Sequence, residues 1–103
     1  MTQELIRNAQ IAVGTDQVLV SEEQFNTQRT VILVTNTSTG GQKITVSPSD
    51  DAVSGIGIVL QPGGFYQDSQ DSGYKPTNKR IMAISSLAGG TLAVHERILM
   101  GGY

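Results

Sequence analysis

The sequence predicts an all-β protein: a single antiparallel β-sandwich or flattened barrel of about eight short strands. Three observations predict it. Turn-formers are plentiful, with 12 glycines and 3 prolines in 103 residues, while charged residues make up 16% against the roughly 25% of an average soluble domain. The apolar runs are short, rich in Val and Ile, and bounded by Gly, Pro, Asn and Asp, which is strand punctuation. They recur at the spacing expected of a sandwich or barrel. The length suits one domain, residues 1–103, with one two-layer core.

Each element follows in chain order. "MTQELIRNAQ" reads as one helical turn or an extended arm, and weaker strands follow at Gln10 to Val13 and Gln17 to Val20. "SEEQ" at Ser21 has the form of a capping box that a short helix could use. In "TVILVTNTSTGGQKITVS", Val31 to Val34 is apolar at every position, as in a strand buried on both faces, while Ile44 and Val46 alternate with polar neighbours. Asn36 to Gly41 between them has the residues of a hairpin loop, which predicts an antiparallel pair.

In "IGIVLQPGGFYQD", Ile56, Ile58 and Leu60 share a face at period two, and Gln61-Pro62-Gly63-Gly64 predicts a type II turn. Pro62 fixes φ at the first central position and Gly63 accepts the positive φ at the next. Phe65 and Tyr66 restart a strand. "DSQDSGYKPTNKR" is polar and turn-rich, a long surface loop with a basic end. A strand at Ile81 to Ser85 and a stronger one at Thr91 to Leu99, after the Gly89-Gly90 turn, complete the set. The expected core draws on Val31, Leu33, Ile44, Val46, Ile58, Leu60, Ile84, Leu92 and Val94.

Charge and chemistry narrow the function. A net charge of −2 with acids and bases interspersed is the opposite of a phosphate-binding surface, so nucleic acid is not an expected partner. With no cysteine there is no disulfide, thiolate nucleophile or thiolate metal site. No run approaches the roughly 20 apolar residues of a membrane span. The N-terminus carries charge where a signal peptide needs an apolar stretch, so the chain is expected to be intracellular when made.

No catalytic constellation emerges, and neither a cofactor nor a metal is expected. His95 in "LAVHERI" shares a face with Ala93 and Arg97 and reads as an ordinary strand residue. "DSQDSG" opens like a calcium loop, but Lys79 stands where an EF-hand needs its bidentate Glu. An irregular calcium site on Asp68, Asp71 or the Asp50-Asp51 pair stays open beside the simpler reading of solvated turns. The glycines of "GIGIVLQPGG" do not lead into a helix with a lysine, as phosphate cradling requires. Asn36-Thr37-Ser38 matches a glycosylation sequon and reads as a hairpin tip.

The order of "RTVILVTNTSTGGQKITVS", "GIVLQPGGFY" and "IMAISSLAGGTLAVHERI" resembles small β-sandwich proteins of viruses and phages, the decoration, spike-base and turret-type components of virions. The resemblance covers most of residues 29 to 98. It implies a non-enzymatic particle component, made in the host cytoplasm, whose partners are copies of itself and a major capsid protein. The chain is short for a jelly-roll major coat protein, which points to an accessory, vertex or decoration role. The rival reading is a receptor- or glycan-binding recognition module presenting Tyr66, Tyr74 and Tyr103. Residues 1–8 and 99–103 carry Leu5, Ile6, Leu99, Met100 and Tyr103, apolar groups expected to serve as arms or interface strands.

Overall fold

A computed structural model describes residues 3–70 and 76–100 of the chain. Eight strands follow one another: β1 (Gln3–Val13), β2 (Val18–Ser21), β3 (Thr27–Asn36), β4 (Ile44–Pro48), β5 (Ile58–Leu60), β6 (Phe65–Ser69), β7 (Ile81–Ser85) and β8 (Gly90–Met100). They form two four-stranded sheets, ordered β1-β8-β3-β6 and β2-β7-β4-β5, with every pairing antiparallel. β1 pairs with β8, β2 with β7, β3 with β6 and β4 with β5, so each strand finds the partner that brings their numbers to nine. That nested pairing is the jelly-roll form of the expected β-sandwich.

The sheets differ in length. β1, β3 and β8 run for 10 or 11 residues, whereas the strands of the second sheet have 3 to 5. At roughly 3.4 Å per residue, an eleven-residue strand spans about 37 Å. The long sheet therefore sets the longest dimension of a molecule measuring 45 × 23 × 22 Å. Between the sheets lie Val13, Val20, Ile32, Val34, Ile44, Val46, Leu60, Ile81, Ala83, Leu92 and Val94.

Several expectations change. β3 and β4 do not pair: they lie in opposite sheets, and the stretch from Asn36 to Gly41 crosses between layers instead of closing a hairpin. Asn36 directs that crossing. Its amide donates to the carbonyls of Gln42 (2.9 Å) and Leu60 (2.8 Å), its Oδ1 accepts from the Ser38 N–H, and the side chain is fully buried. The sequon asparagine is thus a clamp between loop and sheet. Val31 to Val34 alternates after all, with Ile32 and Val34 inward and Val31 and Leu33 half-buried on the outer face. Likewise Ile81 and Ala83, not Ile84, enter the core.

The Gln61–Gly64 corner behaves as its residues demand. Gly63 has φ of +84°, and the Gly64 N–H donates to the Gln61 carbonyl at 2.7 Å, closing a type II turn that joins the two sheets. Ile56 falls outside the strand and is 69% exposed, because Gly55 and Gly57 on either side both take positive φ and break the extended chain. Residues 3–10 are extended within β1, not helical, and Ser21 ends β2 instead of capping a helix. Asp68 and Ser69 belong to β6, so the polar loop begins later than its composition suggests.

Two β-bulges break the register. Thr30 is an extra residue in β3, between Arg29 opposite Ile98 and Val31 opposite Arg97. Val20 is the extra residue in β2, between Leu19 opposite Met82 and Ser21 opposite Ile81. Because side chains alternate faces, one inserted residue turns those beyond it to the other face. Arg29 and Ser21 thereby point inward.

Candidate functional site

The two bulges aim at one residue. Glu96 lies on the inner face of β8 between Val94 and Ile98 and is 1% exposed. Its Oε2 accepts from Arg29 Nε (2.6 Å) and Ser21 Oγ (2.5 Å), and its Oε1 from Arg7 Nε on β1 (3.0 Å). Arg29 is itself fully buried, and its five N–H groups serve Glu96, the Ser21 hydroxyl and the carbonyls of Glu22, Thr77 and Lys79. Burial alone pushes the Glu96 carboxyl up, but the Ser21 hydroxyl, the Arg29 guanidinium and Arg7 together outweigh it and hold the group below the usual carboxylate range. Arg7 also donates to the Val20 carbonyl at 2.9 Å, tying the edge strand of one sheet to the edge strand of the other.

This network sits at the side of the sandwich where the edges of β1 and β2 face each other. There a groove of about 390 Å³ opens, walled by Leu5, Ile11, Leu19, Ile98 and Met100 around the Arg7–Glu96 pair. Its rim is apolar and exposed: Leu5 is 47%, Leu19 44% and Met100 38% accessible.

β1 is also the long open edge of the fold. Its eleven residues pair with β8 without interruption from Gln3 opposite Met100 to Val13 opposite Gly90, and among the described residues nothing pairs on its other side. Protein sheets normally guard an edge with lysine, proline, a bulge or brevity. The other three edges are short: β2 has 4 residues and a bulge, β5 has 3 and β6 has 5. β1 is long and has no lysine, proline or bulge; its charges are Glu4 and the inward-facing Arg7, which is tied to Glu96 and the Val20 carbonyl.

Of the expected interface residues, Leu5 and Met100 line the groove, while Ile6 (49% exposed) and Leu99 lie on the outer face of the same two strands. The terminal segments thus meet within one long ribbon. Tyr66 packs against the core. Tyr74 and Tyr103 lie outside the described residues, as does Asp71.

The other candidates fall elsewhere. His95 is on the outer face, where Arg97 Nε donates to its Nε2 (3.2 Å) and its Nδ1 stands 2.7 Å from Asn8 Oδ1, a network that places the proton on Nδ1. Asp51 pairs with Arg80 at 2.7 Å, and that hydrogen bond, one from Gln17 and the arginine's charge hold its carboxyl below the usual range. Asp50 precedes it in the same loop, whereas Asp68 is in β6 of the other sheet, opposite Ile32. Among the described residues, no three His, Cys, Asp or Glu side chains gather as metal ligands.

Sequence reasoning passes over Glu96 and Arg29. A signal existed for Glu96, since the period-two series Leu92, Val94, Glu96, Ile98 sets it among inward apolar positions. None existed for Arg29, whose facing depends on the bulge.

Fold and site define a class: a small jelly-roll protein with one long, uninterrupted edge strand beside an apolar groove. No protein-family model matches the chain, and no curated protein matches it. Among solved structures, one from work stating that Bacillus endospore appendages form a novel family of disulfide-linked pili matches with a TM-score of 0.69, covering 99% of this chain and 89% of that one at 9% identity. At that identity the likeness is one of fold.

Proposed function

We propose that this chain is a non-enzymatic structural subunit that assembles with copies of itself, with the edge of β1 as its main contact. The observation that carries this reading is the eleven-residue edge, without lysine, proline or bulge and flanked by exposed Leu5, Ile6 and Met100. The fold likeness to a pilus-forming protein supports it. The pili in that description are disulfide-linked. This chain has no cysteine, so its own contacts are strand pairing and apolar burial.

The finer setting we propose is a virion, where the chain would be an accessory, vertex or decoration component bound to a major capsid protein. The motif order noted above supports it, as does a topology common in capsid proteins. Lectins share that topology, but the recognition-module reading loses ground because Tyr66 packs against the core.

Light scattering and electron microscopy test the self-assembly. The wild type is expected as dimers or larger closed oligomers. The double variant Ile6→Lys with Gln10→Lys, at two exposed edge positions, is expected as a monomer of 10.9 kDa with unchanged circular dichroism. A wild type that stays monomeric at every concentration, or a lysine variant that assembles as before, overturns the proposal. Mass spectrometry of purified particles tests the virion setting.

A further inference from the structure

Resting on the self-assembly reading, we infer that the β1 edges of two copies pair with each other about a two-fold axis at Asn8, joining their long sheets into one and closing their grooves against each other. A two-fold axis that makes two identical strands antiparallel stands perpendicular to the sheet, so inner faces continue inner faces. Residues directly opposite must then share a face, and their numbers must add to an even sum.

Few registers remain. A sum of 14 sets Arg7 against Arg7 of the second copy, and like charges directly opposite are destabilising. A sum of 12 shortens the overlap to residues 3–9 and sets Leu5 against Arg7, while a sum of 18 shortens it to residues 5–13 and sets Arg7 against Ile11. A sum of 16 uses all of Gln3–Val13. It places Leu5 opposite Ile11 twice, Arg7 opposite Ala9 and Glu4 opposite Ala12, with Asn8 meeting its own copy on the axis.

The groove supplies the second, independent reason. Leu5 and Ile11 are two of its apolar walls, and in this register each receives the other from the second copy. The side chains that line an open groove in one molecule become the cover of the same groove in the next. Each copy contributes four strands, giving a continuous eight-stranded sheet.

The absence of native cysteine makes the register readable by crosslinking. Opposite Cα atoms in an antiparallel pair are about 4.5 or 5.5 Å apart, within the roughly 4.4–6.8 Å that a disulfide spans. Asn8→Cys is therefore expected to give, under mild oxidation, a band at twice 10.9 kDa as the major species. Leu5→Cys mixed with Ala9→Cys, which would report a sum of 14 while keeping the Arg7 charge, and Ala9→Cys alone, which would report a sum of 18, are expected to stay single. Leu5→Cys and Ile11→Cys are expected to crosslink only when mixed. Circular dichroism of each variant checks that it folds.

Crosslinking of Leu5→Cys with Ala9→Cys, or of Ala9→Cys alone, in place of Asn8→Cys overturns the register. Particles or oligomers that form with none of these crosslinks overturn β1 self-pairing while leaving assembly intact. A monomeric wild type removes both.

Discussion

Replacing Glu96 by Gln tests the buried network most directly. The change keeps the shape and one acceptor oxygen but removes the charge that two arginines face, one of them fully buried. Breaking a buried ion pair by neutralising one partner costs about 3–5 kcal/mol, because the other charge is left uncompensated. Here the lower end applies, about 3 kcal/mol, since Arg29 keeps the carbonyls of Glu22, Thr77 and Lys79 and the Ser21 hydroxyl. Against a domain stability of about 5–15 kcal/mol this is a large fraction. At about 4–8 °C per kcal/mol for a domain near this size, it lowers Tm by roughly 12–24 °C.

The assay is urea unfolding followed by far-UV circular dichroism, suited to a chain without tryptophan. It carries a pH signature. The folded pKa of Glu96 lies below its unfolded value of about 4.3, so its contribution is complete above that pH and is lost as pH falls through the folded value. The gap between wild type and variant should therefore close in acid. A cost below about 1 kcal/mol at neutral pH, or a gap that persists unchanged at pH 3, would refute the reasoning.

Two further predictions concern the crossings between sheets. Gly63→Val forces a β-branched residue to a φ of +84° and should cost on the order of 1–3 kcal/mol, an unchanged melting temperature counting against the turn. Asn36→Ala leaves the Gln42 and Leu60 carbonyls without their buried donor and should cost about 3 kcal/mol in the same urea assay, while an exposed-site cost below about 0.5 kcal/mol would contradict the clamp.

What could be read from the residues was local. Pro62-Gly63-Gly64 dictates its own turn, and the Leu92-to-Ile98 series dictates its own strand, so strand count and fold class follow. Facing was lost where every position is apolar, as in Val31 to Val34, because no polar residue marks the outer side. Pairing was lost because strands adjacent in sequence, β3 and β4, are separated by a layer crossing that looks like a hairpin loop. The site was hidden for a related reason: a bulge moves Arg29 to the inner face without leaving a trace in the alternation around it.

The nested pairing also sets an order of events. Among the described residues β1 has a single partner, β8, with Gln3 opposite Met100. The β1–β8 seam therefore closes a loop that holds the six other strands, and closing so long a loop is intrinsically slow. Until it closes, neither edge of β1 is paired within the described fold. The seam that completes the long sheet is accordingly a late step of folding.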